Sequence, residues 1–163
     1  MHRPKASEYD PYYKNYISLV ENEDILNCLE NQAGELSSLL SSFSEDRGQF
    51  AYEAGKWTIK ELLSHVIDGE RMFAYRLLRI SRGDKTPIEG FEQDGYIENS
   101  HANRRSFSEL LKEFELVRTA NMILFRNLDE TDLTRTGTAN NVRQRMAERI
   151  PRQLNGRIRC PPK

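Results

Sequence analysis

Apolar residues recur at three- and four-residue steps along three segments of the chain, the spacing of a helix that buries one face. The first predicts a helix from Asp24 to Ser42, with Ile25, Leu26, Leu29, Leu36, Leu39, Leu40 and Phe43 turned inward. Gly34 sits in its middle, where glycine costs about 1 kcal/mol relative to alanine, and predicts a close approach by a neighbouring helix. The second segment has the clearest start in the chain. Thr58 is suited to the N-cap, Glu61 three residues on completes a capping box, and Trp57 and Leu62 take the staple positions. Its stripe runs through Ile59, Leu62, Leu63, Val66, Phe73, Leu77 and Ile80, and Gly83 ends it. The third opens on a second capping box, Ser106 with Glu109, and continues through Leu110, Leu111, Phe114, Val117, Met122, Ile123, Phe125 and Leu128.

The connections divide the chain. Residues 1–21 read as an irregular arm whose Tyr9, Tyr12, Tyr13 and Tyr16 pack along a bundle groove. The stretch "GDKTPIEGFEQDGYIENSHAN" holds three of the nine glycines and reads as a loop. It is long for a bundle, and ordered loops of that length carry function or cover a site. "DETDLTRTGTANN" reads as a turn-rich link. Residues 22–141 thus form a helical bundle domain. The segment 142–163 is a basic tail with helical potential to Ile150, stopped by Pro151, and with no sustained apolar stripe.

A chain of 163 residues, 37% hydrophobic and 30% charged, suits one domain that buries a core without disulfides or a structural metal. The net charge of -1 supplies no basic field to recruit phosphate. The tail is basic, with Glu148 its lone acid, but it has no aromatic residue for base stacking, so nucleic acid is not an expected partner. Cys28 and Cys160 lie far apart, which excludes a zinc knuckle or a disulfide framework and sets a reducing cytoplasm as the expected compartment. No segment approaches the roughly 20 apolar residues of a membrane span, so no membrane partner is expected.

His65 is the one histidine between His2 and His101. On a wheel of about 100° per residue with Ile59 at the origin, Leu62, Val66, Phe73 and Leu77 lie within about 60° and define the core face. His65 falls about 60° beyond the edge of that stripe, beside Glu61, Met72 and Arg76. Two readings fit that position: a ligand facing a partly open cleft, and an ordinary boundary histidine. Glu70 lies about 20° from the stripe's centre, where a carboxylate needs a partner. It could orient an imidazole, accept from loop backbone, or pair with Arg118 or Arg126, and the structural ion pair is the more ordinary of these. Gly69, on the His65 side, predicts close approach by a helix or loop.

"KWTIKELLSHVIDGERMFAYRLLRISRGDKTPIEGFEQDGYI" resembles the DinB/YfiT-like superfamily. Trp57, Glu61, His65, Asp68 and Glu70 match its W-(S/T)-x-x-E-x-x-x-H-x-x-D-x-E pattern, and "RTGTANN" resembles the approach to its last helix. The resemblance spans residues 22–141. It implies an all-α, up-down-down-up four-helix bundle, often a homodimer. It also implies a divalent metal, zinc or nickel, held by one histidine of the second helix and an H-x-x-x-H pair on the fourth. The implied activity is thiol-dependent S-transfer or isomerisation on a small molecule, with a thiol as partner.

Carried over residue by residue, the resemblance makes His65 a metal ligand and Glu70 the carboxylate supporting it. The fourth helix is expected to be short or degraded, because "VRQRMAERIPRQLNGRIRC" contains no histidine, while His2 lies in the arm and His101 in the loop. Metal binding is therefore expected to be impaired, down to no ion at all. Two histories fit this tail, a degenerate member and a shifted reading frame after Asn141, and the abrupt change of composition favours the second. The alternative function is a non-catalytic bundle that acts by self-association through an uncovered apolar patch.

Overall fold

The structure, a computed structural model, describes residues 11, 14–18, 24–139 and 142–145. Helix α1 spans Lys14–Ser18, α2 Ile25–Ser41, α3 Glu45–Gly48, α4 Ile59–Ser81, α5 Gln93–Ser100, α6 Phe107–Arg126 and α7 Glu130–Thr134. A 3-10 turn, Ala102–Arg104, joins α5 to α6, and an antiparallel hairpin of β1 (Thr136–Ala139) and β2 (Val142–Arg145) follows α7. The long helices are α2, α4 and α6. Helix α6 packs on both others, while α3, α5, the 3-10 turn, α7 and β1 all pack on α4. Among the described residues no helix is long and apolar enough to cross a membrane.

The helix starts follow their local chemistry. The Asp24 side chain accepts from the Leu26 N–H and begins α2. Thr58 and Glu61 form the full reciprocal box that begins α4. At α6 only half of the expected box forms: Ser106 accepts from the Glu109 N–H, while the Glu109 carboxylate turns to Arg105. The first amide of α6, on Phe107, donates to Glu45 at 2.8 Å. That carboxylate also binds the buried Lys60 ammonium at 2.6 Å, and Lys60 donates to the Arg105 carbonyl at 2.8 Å. A helix-start orphan donor is thereby satisfied from a distant part of the chain.

The core falls into two apolar clusters. One gathers Leu29, Phe73, Leu77, Ile80, Ile88, Met122, Phe125 and Ala139. The other gathers Leu40, Leu63, Ile67, Phe107, Leu110, Leu111 and Phe114. Between them along α4 and α6 stand Glu70, Arg118 and Asn121, a polar waist. The buried arc of α4 differs from the expected stripe: Leu62 is 51% exposed, while Ile67 and even Lys60 and Ser64, outside that stripe, are buried. Periodicity marks one face, and α4 is covered on several. On the outer helices the reverse occurs, and Leu39 and Ile123 stand exposed. Neither glycine expectation is met. A Cβ at Gly34 would meet nothing within 4 Å, and one at Gly69 only the Phe73 ring edge at 3.7 Å.

The connections are more ordered than expected. The 83–103 stretch contains α5, begun by the Glu92 carboxylate, which accepts from the Asp94 and Gly95 amides. The turn-rich link contains α7, with its own Asp129–Asp132 capping box, and β1. In place of helix, Val142–Arg145 form β2, paired with β1 in the register Thr136–Arg145 to Ala139–Val142. Ile88 donates its amide to the Thr138 carbonyl at 2.9 Å, so the hairpin ties back to the chain after α4. The all-α expectation therefore holds for the bundle and omits this hairpin. Part of the N-terminal arm is helical, as α1. Tyr9, Tyr12, Tyr13, His2, Cys160 and the expected fourth helix beyond Arg145 lie outside the described residues.

Candidate functional site around His65

His65 lies in the second turn of α4 and is only 6% exposed. Its expected place at the rim of the core is corrected: the fold buries the imidazole. The Trp57 indole lies against its ring, with centroids 4.9 Å apart and planes tilted by 48°. Trp57 directly precedes the N-cap, so the capping box that starts α4 also sets the direction from which the indole arrives.

One turn below His65, the box is extended into a closed ring. Glu61 accepts the Thr58 N–H at 2.8 Å on one oxygen and the Asn103 side-chain amide at 2.9 Å on the other. The Thr58 hydroxyl accepts the Glu61 N–H at 3.1 Å and donates to the Asn103 side-chain oxygen at 2.8 Å. Gln49 holds the Asn103 carbonyl at 2.9 Å. Sequence reading missed Asn103, since nothing local marks a loop asparagine that pairs with residues 42 and 45 positions away.

Glu70 is fully buried, as its place at the stripe's centre required of a paired carboxylate. Its partner is Arg118, one of the two arginines anticipated, through Nε at 3.0 Å and Nη2 at 2.5 Å. The other oxygen accepts from Asn121 Nδ2 at 2.8 Å. Arg118 also donates to the Leu29 carbonyl at 2.7 Å, so one guanidinium joins α2, α4 and α6. Arg126, the other candidate, pairs with Glu30 at the surface. Both carboxylate oxygens of Glu70 are engaged in this pairing. Asp68, the motif's remaining acid, lies near Arg71 at 3.9 Å; burial pushes its carboxyl above the ordinary 3.8, against the pull of Arg71. Arg71 in turn binds Glu113 at 2.5 Å, and Glu113 binds Arg105 at 2.6 Å.

These residues do not complete the ion site that the resemblance implies. His101 is exposed, in left-handed backbone at φ 55°, as the cap between α5 and the 3-10 turn. Among the described residues no three histidine, cysteine, aspartate or glutamate side chains converge to hold an ion. A lone imidazole is one ligand short of the smallest chelate, and structural or catalytic zinc takes three or four protein ligands.

The described residues thus define a helical bundle whose central helix carries one buried imidazole under an indole. The DinB superfamily profile matches residues 29–155, and the chain belongs to that superfamily. Among solved structures, YfiT from Bacillus subtilis matches over 92% of this chain and 83% of its own, with a TM-score of 0.69 and 15% identity. That protein is described as a probable metal-dependent hydrolase with an unusual four-helix bundle topology. The likeness shows a shared DinB-like fold. No curated protein matches the sequence.

Proposed function

We propose that this chain derives from the metal-dependent branch of its superfamily, that His65 marks the ion's place, and that ion binding is impaired in this form. The observation that carries the reading is the enclosure of His65, the imidazole that matches the superfamily motif, at 6% exposure under an indole. The metal-dependence ascribed to the Bacillus subtilis bundle supports a metal for the lineage. Zinc or nickel is the ion proposed, and a small-molecule substrate in a cytoplasmic setting belongs to the same reading. The reaction class is thiol-dependent S-transfer or isomerisation. Hydrolysis differs from S-transfer in its nucleophile, water in place of a thiol, so turnover with and without added thiol separates the two.

Metal content after purification tests the reading. The expected result is zinc or nickel well below one ion per chain, reduced further in His65→Ala. An ion near stoichiometric amount contradicts the impairment, and equal content in His65→Ala contradicts the placement. The superfamily match continues to residue 155, past Asn141, which favours a degenerate tail over one read out of frame. Sequencing the gene past codon 141 decides between them, since an H-x-x-x-H run in another frame there would restore the frame shift.

One observation favours the second reading, self-association. Leu116 and Ile123, seven residues apart and so on one side of α6, are 59% and 62% exposed. Size-exclusion chromatography of wild type and Leu116→Lys/Ile123→Lys tests it, and a wild-type monomer at high concentration rules it out.

A further inference from the structure

The ring below His65 does more than cap a helix. A capping box needs one carboxylate oxygen of Glu61, and the other is spent on Asn103. The directions of the ring follow from the carboxylate. A carboxylate only accepts, so the Asn103 NH2 must face Glu61. Its carbonyl oxygen must then face the Thr58 hydroxyl, which donates to it while accepting the Glu61 N–H. The asparagine is held again through its backbone, by Gln49, and two residues on Lys60 holds the Arg105 carbonyl. The 3-10 turn is thus fastened to the first turn of α4, and its Ala102 is buried.

We propose that Asn103 is the positioning residue of the His65 site. By closing the ring it fixes the Thr58 amide and hydroxyl together, and so the path by which Trp57 enters the helix. The indole on the imidazole, and the 3-10 turn fastened to the first turn of α4, take their places from the same ring. The proposal rests on His65 being the group around which the site is built. Its test is made without added ion, so a His65 signal that zinc leaves unmoved defeats that reading and leaves this result standing.

The test is a rescue. Asn103→Asp sets a carboxylate where an amide donated to Glu61, and the ring opens by like-charge repulsion. Asn103→Asp combined with Glu61→Gln closes it again: the new glutamine donates to the aspartate, still accepts the Thr58 N–H, and the net charge equals that of wild type. Trp57 is the sole tryptophan, so acrylamide quenching reads its cover directly. The His65 ring resonances read the imidazole, and hydrogen exchange at the Thr58 amide reads the ring. Asn103→Asp should shift the His65 resonances, raise quenching, and speed Thr58 exchange at least about tenfold, the change that losing a hydrogen bond to a charged group brings. The double variant should return all three toward wild type. Unmoved His65 resonances and quenching in Asn103→Asp, whatever its melting temperature, overturn the proposal. Should Asn103→Asp fail to fold, a native His65 signal in the double variant supports it and the absence of one overturns it.

Discussion

Removing the Glu70 carboxylate should be among the most damaging single changes in the chain. Glu70 and Arg118 are 0% and 2% exposed, so neither charge has water to fall back on. In Glu70→Gln the guanidinium loses its counter-ion but stays buried, still donating to the Leu29 carbonyl. The new amide also presents a donor to Asn121 Nδ2, which now donates to that carboxylate at 2.8 Å. Breaking a buried pair from one side costs about 3–5 kcal/mol, and domains of this kind have only about 5–15 kcal/mol in all. Arg118→Met should cost a similar amount by stranding the carboxylate. Replacing both with apolar residues, Glu70→Leu with Arg118→Met, removes both buried charges and should cost clearly less than the two single losses summed. Urea unfolding, with the slope checked for constancy, measures all three. Single losses below about 1 kcal/mol that simply add would refute the idea that the waist holds a desolvated pair.

Two other predictions follow from local features. Gly34→Ala should stabilise α2 by roughly 0.5–1 kcal/mol, because the added methyl meets open space and the backbone is helical; a thermal midpoint that falls would mean that something closely approaches that face. In acid, Glu113 and Glu45 should contribute to the fall in stability, beside Asp84 and Glu92, whose carboxyls Arg79 and the Gly95 amide also hold low. Burial alone would raise the Glu113 carboxyl, but Arg71 and Arg105 hold it below the ordinary 4.5, while Lys60 and the Phe107 amide hold Glu45 below the same value. Groups depressed in the folded state stabilise it above their unfolded pKa and lose that contribution as the pH drops through the folded value. Asp68, raised by burial, works in the opposite sense and favours folding in acid. Wild type and Glu113→Gln should therefore differ in urea midpoint near neutrality and converge as the pH falls past 4.5, and a gap constant with pH would contradict this.

Features carried by neighbours in sequence were the legible ones. The Thr58–Glu61 box needs four consecutive residues, and it formed in full. Glu70 was legible for a different reason: a carboxylate at the centre of an apolar stripe is too costly to leave alone, so it needed a partner, and Arg118 was one of those on offer. What failed was the outline of the buried surface. Leu62 lies at the right phase yet stands exposed, and His65 lies at the wrong phase yet is buried. Both outcomes depend on which faces of α4 the rest of the fold covers, and α4 is packed by α3, α5, the 3-10 turn, α6, α7 and β1. Helix α5 itself was hidden because "QDGYIENS" has one buried apolar residue, Ile97, and no stripe to betray it. The half-formed box at Ser106 shows the same limit, for Glu109 is drawn off by Arg105, and the neighbouring amide of Phe107 is met by Glu45, 62 residues away.

The claim at the centre of this account is that His65 is the place where an ion would bind and that this chain binds one poorly. Histidine-labelled chain titrated with zinc, and followed through the ring resonances of all three histidines, tests it most directly. The account predicts that His65 responds and that the response is weak, with no saturation at one equivalent. An unmoved His65 signal, with any binding traced to His2 or His101 instead, would contradict it, as would tight one-to-one saturation.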